Sequence, residues 1–221
     1  MIDKIIALVG KYWYVFVEGL GGTLWLSFIS VAAATVVGAL LAIMRLSKYK
    51  ALHFIVNAFL SVIRGTPILL QLYFFWLWLP TIVPFEMTDT NCIVVALIIN
   101  ASAYVTEVIR SGIQAVDIGQ TEAAKSLGMS GYNTMMRIVL PQAIKNILPA
   151  MGNQYIMMVK QTSLASVFFI NDLMTSYRTV ASATYQYLPS LAIVGIVYYL
   201  LTTVMTYGVN VLERRMKRSD R

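Results

Sequence analysis

Long oily runs, broken by short polar stretches at uneven intervals, set the pattern of this 221-residue chain. In residues 2–17, Ile2, Ile5, Ile6, Val9, Tyr12, Trp13 and Phe16 recur at helical spacing, with Asp3, Lys4 and Lys11 on the other side and Glu18 just beyond. Residues 1–18 are therefore predicted to lie as an amphipathic helix in a membrane interface. The interrupting charges, with no small-residue cleavage site after them, argue against a signal peptide. Gly19 to Met44 carries no charge and is long enough to cross a hydrocarbon core of about 30 Å. Four further spans are predicted after this first one (19–45). One covers 51–79, interrupted at Arg64-Gly65-Thr66-Pro67 and closing with Tyr73, Trp76 and Trp78. The others are 90–110, 147–168 with Lys160 inside it, and 188–212, within the charge-free run from Thr179 to Leu212. No period of 20 to 50 residues, linker or low-complexity tract divides the chain, so it reads as one all-α membrane domain over 1–221 with about five transmembrane helices.

One polar stretch, 117–145, is too long and too patterned for a filler loop. Asp117 with Gln120 is placed like a capping pair, the run to Ser126 has only Thr121 as a β-branched residue, and Gly128 is a natural stop. A short helix follows. On it Ala124 and Gly128 fall four apart, where a partner could approach the backbone closely, and Ala123 with Leu127 forms an adjacent apolar strip. Ser130 and Gly131 restart the chain into a second helix that Pro141 and Pro149 are expected to bend or end.

Composition agrees with the pattern. At 58% hydrophobic residues and a mean hydropathy of +0.71, the apolar surface exceeds what a soluble core of this size hides. The single Cys92 and single His53 exclude a disulfide framework and leave no plausible metal site or Ser-His-Asp constellation, so neither a catalytic residue nor a cofactor is expected in this chain. The formal charge of +7 reads as membrane topology and not as nucleic-acid binding. With five spans and the N-terminus outside, the inner face holds Arg45, Lys48, Lys50, Arg110, Lys125, Arg137 and Lys145. The tail adds Arg214, Arg215, Lys217, Arg218 and Arg221, making twelve of the seventeen cations. Only Lys4, Lys11 and Arg178 lie outside, which puts the C-terminus and the 117–145 stretch in the cytoplasm. No P-loop occurs, so ATP hydrolysis is not expected of this chain.

Glu122-Ala123-Ala124, three residues, Gly128, nine residues, then Ile138-x-Leu140-Pro141 resembles the coupling-loop signature of membrane subunits of ATP-binding-cassette importers, with every fixed position present. Three further segments resemble the polar amino-acid permeases among them: Arg64-Gly65-Thr66-Pro67 with Gln71, Ala103-Tyr104 with Glu107 and Arg110, and Lys160-Gln161-Thr162-Ser163-Leu164. The resemblance implies a multi-pass permease of the bacterial cytoplasmic membrane that pairs with itself or a sister subunit and accepts an amino acid from an extracytoplasmic binding protein. It also implies two ATPase subunits, which carry ATP and magnesium and dock on Glu122, Ala123, Ala124, Leu127 and Gly128. Substrate contact would fall to Arg64, Thr66, Gln71, Lys160, Gln161, Thr162 and Ser163. Gln161 stands where relatives often have Asp, which tilts the expectation from arginine toward a neutral or acidic amino acid or cystine.

Read from the residues alone, Arg64 and Lys160 each lie about 13 residues from the inner start of their spans, roughly 20 Å deep at 1.5 Å per residue. Cations there face a bundle interior or wet cavity, where either could neutralise a carboxylate or only pair structurally. The Gly65-Thr66-Pro67 break frees backbone groups for the same site. Glu107 and Arg110, three apart, are expected to form a structural intrahelical pair. Two alternatives stay open: an importer subunit for a different solute, and a stand-alone secondary transporter. The second calls for inverted repeats and intramembrane acids, of which only Glu107 comes near.

The topology is testable in intact cells. With Cys92 replaced, single cysteines introduced at position 86 are expected to react with a membrane-impermeant thiol reagent and those at 125 to be protected; the reverse pattern refutes the assigned orientation.

Overall fold

A computed structural model describes residues 1–218; the Arg221 counted in the basic tail lies outside the described residues. Helix α1 (Ile2–Leu46) spans 45 residues in two helical pieces joined by a kink at Tyr12, together longer than a bilayer core requires. The N-terminal helix expected over 1–18 is therefore corrected in its boundary, which falls at Tyr12 and not at Glu18. Despite Gly19, Gly21 and Gly22 the chain stays helical through Glu18, and the joint between the two pieces lies at Tyr12 (φ −119°, ψ 15°). The N-terminal piece also has two apolar faces where one was expected. Leu8 and Phe16, with Ile5, Tyr12 and Val15, pack into the molecule, while Ile2, Ile6, Val9, Trp13 and Val17 stay exposed.

The run 51–79 is two helices, α2 (Lys50–Gly65) and α3 (Ile68–Ile82), which meet at 110°. Pro67 has no N–H to continue the ladder, and its ring pushes Thr66 into extended backbone (φ −119°, ψ 148°). Helix α4 (Asp89–Gln114) starts where Thr88 Oγ1 accepts from the Asn91 N–H, and it forms the centre of the domain. Its Ile93, Ala96, Leu97, Ala101 and Val105 are buried with Leu26 and Ala34 of α1 and Leu72 of α3. Helices α1 and α4 approach closely at Gly38, where a Cβ would stand 2.7 Å from a Val105 methyl.

The polar stretch folds as α5 (Ile118–Ser126) and α6 (Gly131–Thr134), followed by a π turn (Met135–Val139) that opens α7 (Leu140–Gln161). Pro141 falls in the first turn of α7, where its missing N–H is harmless, and the helix continues through Pro149. Where a single span over 147–168 was expected, α7 begins earlier, at Leu140, and after Gln161 gives way to a 3-10 turn (Thr162–Phe168). Helix α7 is too polar to qualify as a span alone; α1, α4 and α9 pack around it. Among the described residues, α1, α4 and α9 (Tyr187–Arg218) are long and apolar enough to cross a membrane, and the bent α2–α3 pair offers a fourth crossing.

Helix α8 (Leu173–Thr184), unforeseen in the apolar pattern, is capped by Asp172, whose Oδ1 accepts from Thr175 N–H at 2.8 Å. It is stapled onto α1. Thr23 Oγ1 accepts from Leu173 N–H (3.1 Å), Ser176 Oγ donates to Val15 O (2.8 Å), and Asn171 Nδ2 donates to Glu18 Oε1 (3.2 Å). Gly22 makes this approach possible, since a Cβ there would stand 2.1 Å from Asn171 O. Gly22→Ala is expected to lower the melting temperature of the purified protein, at a cost of about 1–3 kcal/mol for the forced separation. Gly21→Ala, whose Cβ would meet nothing within 4 Å, serves as the unaffected control in the same thermal scan.

Candidate functional site

The α2–α3 break leaves carbonyls at the end of α2 without helical partners, and two side chains take up the work, Thr66 Oγ1 donating to Val62 O (2.8 Å). Gln71 Nε2 donates to Ile63 O (2.7 Å), to Thr66 Oγ1 (2.8 Å) and, more weakly, to Thr66 O (3.2 Å). Its Oε1 accepts from Asn100 Nδ2 of α4 at 2.9 Å, so the elbow is tied to the central helix. Thr66 and Gln71, both predicted substrate contacts, thus commit their polar atoms to the elbow itself.

Below the elbow sits a cluster whose extent sequence spacing did not reveal. Glu107 accepts hydrogen bonds from Arg110 Nε (2.8 Å to Oε2) and Arg45 Nη1 and forms an ion pair with Arg64 Nη1 (3.0 Å to Oε1), while Arg110 donates to Gln114 as well. The i,i+3 pair was legible because it is local; Arg45 and Arg64 come from α1 and α2, far away in sequence. One carboxylate among three guanidiniums leaves two positive charges uncompensated. They line a cavity of about 520 Å³ together with Asn57, Ser61 and Tyr104.

Counting along α4 places Glu107 about 10 Å inward of Asn100, at 1.5 Å per residue. The elbow backbone is level with Asn100, so Arg64 reaches inward from it. Asn146 Nδ2 donates to Gly112 O at 3.5 Å, and the same count along α7 brings Lys160 to about the level of Asn100. The expected common depth therefore fits the backbones, but the charged heads part. Lys160 is exposed and does not line the cavity beside Arg64. Next to it, Thr162 is fully buried and donates to Val159 O, and Ser163 Oγ donates to Lys160 O (2.6 Å). Gln161 Oε1 is buried without a hydrogen-bond partner among the described residues.

The α5 helix forms as its signals foretold. Asp117 Oδ1 accepts from Gly119 N–H (2.6 Å) at the start. At the end Met129 N–H donates to Ala124 O and Gly128 N–H to Lys125 O, closing a Schellman turn in which Gly128 takes φ +78°. Ala124 needs correction as a partner-facing residue: it is 4% exposed, packed beneath α5 against its own chain, because the turn folds the following segment back over that face. The outward surface is Glu122, Ala123, Leu127 (84% exposed) and Gly128, flanked by Ile118 and Tyr132.

This architecture has relatives. Residues 34–218 match the family described as binding-protein-dependent transport system inner membrane component. The arginine transport system permease protein ArtQ of Bacillus subtilis is 37% identical over 203 residues, covering 92% of this chain and 93% of its own. A chain from a crystal structure of an amino acid ABC transporter with histidines is 39% identical with a TM-score of 0.90, covering 96% of this chain and 98% of that one. A chain of the methionine ABC transporter MetNI in an inward-facing conformation shares the fold, with a TM-score of 0.77 at 17% identity over 92% of this chain and 96% of that one.

Proposed function

The chain belongs to the family of binding-protein-dependent transport system inner membrane components, and from that membership we propose that it is the permease subunit of an ATP-driven importer of a polar amino acid. The observation that carries the proposal is α5: a capped, Gly-closed helix that holds Glu122, Ala123, Leu127 and Gly128 of the signature outward. In this reading two separate ATPase subunits, which bring ATP and magnesium, seat on that helix. A second permease, identical or a sister, completes the pathway, and an extracytoplasmic binding protein delivers the substrate. The N-terminus faces outward and α5 the cytoplasm, consistent with the cation asymmetry.

The relatives' names support amino acids as the class and do not single one out. ArtQ is named for arginine, and the solved transporter for histidines. The substrate carboxylate meets Arg64 or Lys160, the two exposed cations at the depth of the elbow. Gln161 and Ser163 contribute polar contacts, while Thr66, Gln71 and Thr162 shape the surrounding backbone. This favours an importer over a secondary transporter, because the one intramembrane acid of α4, Glu107, is taken up by arginines and not left to bind a coupling ion.

Docking is tested by Leu127→Glu, which changes a side chain that is almost wholly exposed. We expect loss of ATPase co-purification and of uptake with normal membrane insertion, and the same from Gly128→Trp. Retention of both by Leu127→Glu refutes the docking surface. The substrate site is tested by uptake through the reconstituted complex carrying Arg64→Met or Lys160→Met. Loss of a charge that contacts a desolvated carboxylate is expected to cost about 2–5 kcal/mol in apparent affinity. An unchanged half-saturation in both variants removes these cations from the site.

A further inference from the structure

We propose that Glu107 is a positioning residue that holds Arg64 in reserve, and that the carboxylate of the arriving amino acid displaces Glu107 from that guanidinium. The inference rests on the reading of Arg64 as a substrate contact. Of the three guanidiniums on Glu107, Arg64 is the one most free to leave. It meets Glu107 as an ion pair at 3.0 Å, whereas Arg45 and Arg110 (2.8 Å) donate hydrogen bonds to the carboxylate, and its side chain is 46% exposed, against 18% for Arg45 and 30% for Arg110. Its departure leaves both carboxylate oxygens served, Oε1 by Arg45 and Oε2 by Arg110, so no buried charge is stranded.

Arg64 also stands where a ligand can reach it. It borders the cavity shared with Ser61 and Tyr104, beside Gly65, around which a Cβ would find open space. A guanidinium has five N–H donors, and Arg64 faces Glu107 as an ion pair through Nη1. An incoming carboxylate offers the same planar geometry as Glu107 and competes for the same fork.

The exchange has somewhere to lead. Glu107 ties the elbow to the inner ends of α1 and α4, and α4 ends at Gln114, three residues before α5 begins at Ile118. Freeing Arg64 loosens the elbow from the helix that continues toward the docking surface. A ligand shifts such an equilibrium only through a difference in affinity between its two states, and here the difference is whether Arg64 is held by Glu107 or available.

The test uses the whole complex, permease with its ATPase and binding protein, in liposomes, comparing wild type, Glu107→Gln and Glu107→Asp for ATPase rate with and without amino acid and for uptake half-saturation. Glu107→Gln is expected to raise the amino-acid-free ATPase rate about fivefold, toward the stimulated level, the lower end of usual coupling between sites. Half-saturation should stay equal or fall, because Arg64 is already free. Glu107→Asp keeps the charge for Arg45 and Arg110 but shortens the reach to Arg64, so its amino-acid-free rate should lie between the other two. It reports even where Glu107→Gln does not assemble. If all rates fall together while the stimulation ratio stays intact, Glu107 is only structural and the proposal is overturned. Absence of amino-acid stimulation in the wild-type complex would instead overturn the transport reading, and the inference with it.

Discussion

In hydrocarbon no water is present to accept a stray N–H or donate to a stray carbonyl, so a helix can break inside a membrane only where the protein itself supplies the missing partners. The turn at Thr66 and Pro67 meets that condition through Gln71, which answers Ile63 and Thr66 on one side and Asn100 on the other. Because Asn100 belongs to the central helix, the repair of a local defect is also a tertiary tie. The placement of Arg64, and with it the arginine cluster and its cavity, depends on that tie.

Around the elbow the helices are drawn together by small residues more than by large ones. Lipid tails are as apolar as leucine, so burying leucine gains little over leaving it in lipid, and close backbone approach supplies the association instead. Gly19 and Gly22 seat the loop before α8, Gly38 seats Val105, Gly112 seats Ile147, and the buried face of α4 carries Ala96, Ala101, Ser102 and Ala103. The same geometry lets α7, too polar to face lipid unaided, run among α1, α4 and α9 with Gln154 buried inside.

What the sequence disclosed and what it hid divide along the range of the interactions. The cap at Asp117, the stop at Gly128 and the break at Pro67 act over a few residues, and each was legible. Membrane character and helical class followed from the long apolar runs. The orientation of Ala124 was misjudged because it is decided by the segment that folds back over α5. The N-terminal helix ends at Tyr12 and not at the charge and glycines of Glu18 to Gly22, a boundary hidden because Tyr12 carries no local stop signal in the sequence. Glu107 was seen with its neighbour Arg110 but not with Arg45 or Arg64, since no spacing rule links residues on three different helices. The α8 signal, Asp172 followed by Thr175, was present but lay in a mixed stretch with no long apolar run.

The straight part of α1, beyond the Tyr12 kink, has a mechanical consequence. Between its staple to α8 near Glu18 and its arginine at position 45 lie 27 residues without a kink, about 40 Å of stiff rod, while the distortion at Tyr12 falls beyond the staple. A rod fastened at both ends works as a lever: a tilt of about 5° about one end carries the other about 3.5 Å over that length. Two separate helices would absorb such a displacement in the joint between them. Here the α8 cap and the arginine cluster are the two ends of one beam, so neither can shift far without the other registering it.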